Sequence, residues 1–152
     1  MDLADRWVTP LWLSHHYPED YDRCVRIGRN HVCRRCLALY PLTVVVMIVG
    51  LAAGSTFTND STTALVLMIV LPIPAVTEFV LEHLGLIGYQ PKRQIAVTLL
   101  MAVGLGLAFA RYLRHPGDLW FWGVVALYGG LCLASALSGR RTSHVAEETE
   151  RR

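Results

Sequence analysis

The chain has 152 residues, of which 53% are hydrophobic and 17% charged, and its mean hydropathy is +0.39. A soluble domain of this length is rarely so apolar. The formal net charge of only +2, without a basic stripe that carries interleaved aromatics, argues against a nucleic-acid partner. Asp2 and Asp5 occupy the region where a signal peptide is basic, so no signal peptide is predicted.

Residues 14–41 gather three of the four cysteines and three of the six histidines. Cys33 and Cys36 form a C-x-x-C pair, whose sulfurs can take adjacent corners of a zinc tetrahedron. In a reducing compartment such cysteines are more often metal ligands or redox-active groups than structural disulfides. The simplest complete zinc set is His15, Cys24, Cys33 and Cys36, with His16 and His31 as less favoured ligands. Four ligands make a structural site, whereas a missing histidine leaves a position open for water or substrate.

Four apolar stretches of about 20 residues follow, and each is long enough to cross the hydrocarbon core as a helix. They are residues 37–57, 62–81, 95–113 and 119–137. The predicted fold is therefore all-α, an integral membrane bundle of four transmembrane helices with an N-terminal Cys/His knuckle. Three segments result: the interfacial knuckle at 1–36, the transmembrane domain at 37–138, and a disordered charged tail at 139–152.

Glycines and prolines give more detail about the spans. Gly50 and Gly54 are four residues apart, which lets another helix approach the first span closely. Pro72 and Pro74 each remove a backbone donor, so we expect a kink near the middle of the second span.

The distribution of basic residues predicts the orientation. If the N-terminus is cytoplasmic, the inside segments hold twelve arginines and lysines and the outside segments hold two, Arg111 and Arg114. The positive-inside rule then places both termini in the cytoplasm, with the chain in the inner membrane. The twelve inside residues are Arg6, Arg23, Arg26, Arg29, Arg34, Arg35, Lys92, Arg93, Arg140, Arg141, Arg151 and Arg152.

Glu78 lies about one turn inside the second span, where a carboxylate costs up to about 2.5–3.5 kcal/mol at full depth. Such a residue usually faces the bundle interior and has a partner. Arg93, across the next loop, is the natural candidate, and His83 is a second one. These three residues are the candidate acid–base group. If the span boundary is misplaced by one turn, Glu78 is interfacial instead.

The N-terminal segment contains residues 15–18 (HHYP), then Arg23 and Gly28, and then residues 33–40 (CRRCLALY). With these motifs it resembles the DUF2085 family of predicted membrane proteins. Residues 78–106, with Gly88 and Arg93 before a glycine-containing span, are similar to the family's second half. The resemblance covers residues 14–112 and implies an uncharacterised multi-pass protein, so it supports the architecture and says little about activity.

Three positions depart from the family pattern. Ser14 stands where the family has its first cysteine, Cys24 lies near a position usually taken by serine, and Ala38 replaces a glycine. The first two departures are interpreted as the transfer of one thiol ligand from position 14 to position 24.

These features favour a non-enzymatic membrane module whose structural zinc site at the cytoplasmic face docks a protein partner or serves as a scaffold. The alternative is a metal-dependent enzyme in the membrane that acts on a lipid or amphipathic substrate through Glu78, His83 and Arg93. Since the sequence lacks HExxH or another catalytic motif, it does not decide whether the protein is an enzyme. Thiol redox chemistry at the C-x-x-C pair and a small transporter are two further alternatives.

Overall fold

The computed structural model describes residue 21, residues 23–53 and residues 62–150, with side chains as far as residue 138. A short antiparallel hairpin precedes a bundle of helices. The elements, in chain order, are β1 Cys24–Ile27, β2 Asn30–Cys33, α1 Arg34–Ala52, α2 Thr62–Val70, α3 Ile73–His83, α4 Pro91–Arg114 and α5 Leu119–Glu150.

Four helical segments are long and apolar enough to cross a membrane, which is the architecture of a multi-pass membrane protein. They are Arg34–Ala52, Thr62–His83, Pro91–Arg114 and Leu119–Ser138. The number and order of the spans are as predicted from the sequence. Helices α1 and α4, which form the first and third spans, begin three and four residues earlier than predicted. The arginines in their first turns form ion pairs inside the protein, so these turns need not stay outside the bundle.

The kink predicted at Pro72 is an interruption between α2 and α3. The Leu71 amide still donates to the Leu67 carbonyl at 3.0 Å, and the Val76 amide donates to the Pro72 carbonyl at the same distance. Between these two bonds the hydroxyl of Tyr128, on α5, donates to the Ile69 carbonyl at 2.6 Å. A side chain from another helix thus satisfies a backbone acceptor where the proline breaks the helical pattern.

Helix α4 is the central element, and it packs most closely against α1. A Cβ atom on Gly106 would lie only 2.6 Å from Cβ of Val46, so the two helices meet at this glycine. The Thr43 hydroxyl of α1 donates to the Ala102 carbonyl of α4 at 3.3 Å. Gly50 is buried in α1, in agreement with its predicted packing role, while Gly54 lies outside the described residues.

Helix α5 contacts the rest of the bundle along a narrow stripe that includes Phe121, Val124 and Tyr128. It continues to Glu150, through residues for which the sequence predicts a disordered tail. Residues 146–150 (AEETE) are mostly strong helix formers, which favours continuation of the helix beyond the membrane.

The turn between α4 and α5 is fixed by charged groups. Arg111 donates to the carboxylate of Asp118, whose other oxygen accepts the Trp120 amide at 2.8 Å. Burial alone would raise the pKa of Asp118. The hydrogen bonds from Arg111 and from the Trp120 amide lower it by more, so the pKa of this carboxyl lies below its usual value.

We expect the Asp118→Asn variant to be less stable than the wild type at neutral pH by about 1 kcal/mol, because it loses a charge-assisted hydrogen bond. A carboxyl with a lowered folded-state pKa stabilises the protein above its unfolded pKa, and this contribution disappears as the pH falls through the folded pKa. The stability difference should therefore be constant above about pH 5 and shrink below about pH 4. Unfolding in detergent, followed by circular dichroism across pH, measures it; a difference that does not change down to about pH 2 would contradict this prediction.

Candidate functional site

Cys24 and Cys33 lie on a β-hairpin that was not predicted from the sequence. Gly28 has φ of +63°, and with Arg29 it forms a two-residue turn that has glycine at its first central position, as in a type II′ turn. The strand register sets Cys24 directly opposite Cys33, and both side chains are buried. Counted from the turn, this is a non-hydrogen-bonded pair, in which the Cα atoms are about 4.5 Å apart.

The hairpin continues directly into α1. Cys33 is the residue before the helix, Cys36 is in its first turn, and the two thiols are in hydrogen-bonding contact. Arg34 donates to the Cys24 carbonyl at 3.5 Å. The three predicted cysteine ligands therefore lie within one hairpin and the helical turn that follows it.

The predicted histidine ligands are not all placed. His15 and His16 lie outside the described residues. His31 is on β2, on the same strand face as Cys33, and its ring stacks on Tyr21 with ring centres 4.1 Å apart. Within residues 23–53 and 62–138, no group of three or more His, Cys, Asp or Glu side chains is arranged to hold a metal ion. The described cysteines thus supply paired thiols rather than a complete four-ligand set.

Glu78 is buried at the end of the bundle beside this hairpin, and only 4% of its side chain is exposed. Its Oε1 accepts a hydrogen bond from Nε of Arg93 at 2.8 Å, and its Oε2 accepts one from Nη2 of Arg35 at 3.0 Å. Arg35 also donates to the hydroxyl of Thr98 at 3.2 Å, and Arg93 donates to the Gly88 carbonyl at 2.7 Å. One carboxylate thus joins α1, α3 and α4.

A second ion pair attaches the hairpin to the same end. Arg23, just before β1, donates to the carboxylate of Glu82 at 2.7 Å, and its guanidinium lies 4.7 Å from the ring centre of Tyr89. We call Arg23, Arg35, Glu78, Glu82 and Arg93 the arginine–glutamate cluster. Because it connects the hairpin to three helices, it fixes the position of the cysteines relative to the bundle.

The structure brings together only part of the predicted acid–base group. Glu78 and Arg93 form the predicted pair, but His83 is elsewhere: its Nδ1 donates to the Phe79 carbonyl at 2.8 Å and its ring stacks on Phe79. The expectation that His83 could pair with Glu78 is wrong, because Arg35 occupies that place.

Arg35 is the site residue that the sequence analysis missed as a partner of Glu78. The sequence does contain a signal for this partnership. Arg35, Thr43 and Gly50 are spaced by about two helical turns, so they lie on one face of α1. That face meets α4, so an arginine on it points into the bundle.

Comparison of the chain with protein-family models, with curated proteins and with solved structures found no match. The resemblance to the DUF2085 family therefore stays a prediction that rests on the motifs themselves.

Proposed function

We propose that the protein is a scaffold in the inner (cytoplasmic) membrane that docks a protein partner at a zinc-bound cytoplasmic face. In this proposal the arginine–glutamate cluster and both termini face the cytoplasm. The zinc is held by Cys24, Cys33 and Cys36, with His15 as the fourth ligand, and it supplies rigidity to the hairpin rather than chemistry.

The observation that carries the proposal is the placement of the thiols. Cys24 faces Cys33 across the hairpin, and Cys33 contacts Cys36, so soft sulfur donors of the kind that zinc prefers lie in two neighbouring pairs. Within the described residues the three thiols are not arranged around one metal position, so zinc binding must bring them together. The ion pairs of the cluster support a scaffolding role. The Arg23–Glu82 pair attaches the start of the hairpin to α3, and the two Glu78 pairs join α3 to α1 and α4.

The enzyme alternative receives less support. Both oxygens of Glu78 accept hydrogen bonds from arginines, and His83 lies outside the cluster. A carboxylate held in this way between two guanidiniums is suited to joining helices. A general base would instead need to face a substrate within hydrogen-bonding reach.

One observation favours thiol redox chemistry as a second candidate function. Cys33, the residue before α1, contacts Cys36 in the first helical turn, and two thiols at C-x-x-C spacing can close to a disulfide. Zinc binding and dithiol chemistry use the same pair, so one measurement on purified protein distinguishes them.

We expect protein purified without chelator to hold about one zinc ion per chain, and the Cys33→Ser variant to hold less than about half an equivalent. Elemental analysis of both proteins, with free thiols counted in parallel, measures this. Cys132→Ser is the matched control, because Cys132 lies on α5 and is not one of the proposed zinc ligands, so its loss should leave the zinc content unchanged. Metal-free wild type with a Cys33–Cys36 disulfide would reject the zinc scaffold in favour of the redox function.

A further inference from the structure

An apolar groove of about 240 Å³ lies between the region around Pro72, α4 and α5. Apart from Tyr128 and Cys132, every side chain that lines it is hydrocarbon or thioether, and the Tyr128 hydroxyl is already bonded to the Ile69 carbonyl. The groove lies within the membrane-spanning segments. Its lining therefore suits a hydrocarbon chain and offers no site for a polar ligand.

Gly129 lines this groove and contributes to its width. A Cβ atom at Gly129 would meet no atom within 4 Å, and the same holds for its neighbour Gly130, which does not line the groove. The two glycines follow one another on α5, so they provide a matched pair for filling the groove and for a control.

One end of the groove adjoins the arginine–glutamate cluster. Val76, in the wall, is two residues from Glu78, and Met101 is about one turn after Thr98, which accepts the hydrogen bond from Arg35. Cys132 is close enough to Arg35 for an electrostatic interaction. The apolar chain of a bound molecule would thus extend toward a charged group.

Among the residues that the structure describes, the arginine–glutamate cluster at that end holds three arginines and two glutamates, an excess of one positive charge. Arg35 and Arg93 share the single carboxylate of Glu78, and they also donate to the neutral oxygens of Thr98 and Gly88. Helices α1 and α4 both begin here, and neither has an acidic residue in its first turn to match the positive end of its dipole. Guanidinium groups and helix N-termini are the groups with which proteins bind phosphate.

We propose that this groove and the two arginines form a binding site for an anionic phospholipid. One acyl chain fills the groove between α4 and α5, and the phosphate lies at Arg35 and Arg93. The site uses no metal and none of the three proposed zinc-binding cysteines, so its test is independent of the zinc scaffold.

The test uses the full chain in bilayers that contain a trace of phosphatidylglycerol with a photoreactive diazirine in one acyl chain. Phosphatidylcholine with the same chain is the neutral comparison. After illumination, we expect mapped adducts on the groove residues of α4 and α5, including Met101 and Cys132. Labelling by phosphatidylglycerol should exceed labelling by phosphatidylcholine by about fivefold, the factor associated with one added charge contact at a membrane surface.

The Gly129→Leu variant, whose new side chain fills the groove, should lose most of this labelling, whereas Gly130→Leu should keep it. Equal labelling by the two lipids in the wild type would overturn the phosphate contact without depending on any variant. If a folded Gly129→Leu variant is labelled as strongly as the wild type, the groove does not bind the acyl chain and the proposal is wrong. Displacement of the phospholipid by millimolar glycerol phosphate would show a free-anion site and would also overturn the proposal.

Discussion

The Glu78→Gln variant is expected to lose about 3 kcal/mol of its free energy of unfolding. The substitution keeps the size of the side chain and removes its charge, so Arg35 and Arg93 lose their shared counter-ion in a largely buried place. Removing one partner of a buried ion pair typically costs about 3–5 kcal/mol of stability, because the charge of the other partner is left uncompensated. Part of this cost is relieved here, since the Arg93 side chain is 34% exposed and reaches water.

Unfolding in mixed detergent micelles, followed by circular dichroism, measures this loss. Glu82→Gln is the matched control, because Glu82 lies one helical turn away and has a single arginine partner, Arg23, which is 32% exposed. That variant should lose about 1 kcal/mol or less. Equal losses in the two variants would show that sharing between two arginines adds nothing to the role of Glu78.

The contribution of Glu78 also shows what the sequence could and could not predict. Its partnership with Arg93 was predictable, because the two residues are separated only by a short connection between consecutive spans. The partnership with Arg35 was not, because it depends on which face of α1 meets α4. Long-range packing decides which face of α1 contacts α4, and the hydropathy of the sequence does not predict that packing.

The hairpin was missed for a related reason. Residues 24–33 contain cysteine, histidine and arginine in a spacing that suggests a metal knuckle, and this interpretation ignored the strand signals. Val25 and Val32 are β-branched residues that pair across the strands, and Gly28 supplies the positive φ that the turn requires. By contrast, the four spans and the break at Pro72 follow from length, hydropathy and the missing proline donor, which are local properties.

The Gly106→Ala variant is expected to be less stable than the wild type by about 2 kcal/mol, although alanine has the higher helix propensity. The added methyl would lie 2.6 Å from Cβ of Val46 and 2.9 Å from the Thr43 carbonyl oxygen, so α1 and α4 must separate to admit it. Neither obstacle is the end of a flexible side chain that can turn away. The separation would also strain the Thr43 bond to the Ala102 carbonyl.

Unfolding of Gly106→Ala in the same micelles should be compared with that of Gly123→Ala, because a Cβ at Gly123 meets no atom within 4 Å. The control should be neutral or stabilised by up to about 1 kcal/mol, through propensity alone. Adding Val46→Gly to Gly106→Ala removes the nearer obstacle and leaves the Thr43 oxygen, so it should relieve part of the steric strain. A Gly106→Ala variant as stable as Gly123→Ala would contradict the close approach of α1 and α4 at this glycine. Arg35, at the start of α1, contacts Thr98 of α4 and Glu78, so separation of α1 from α4 should weaken the arginine–glutamate cluster as well.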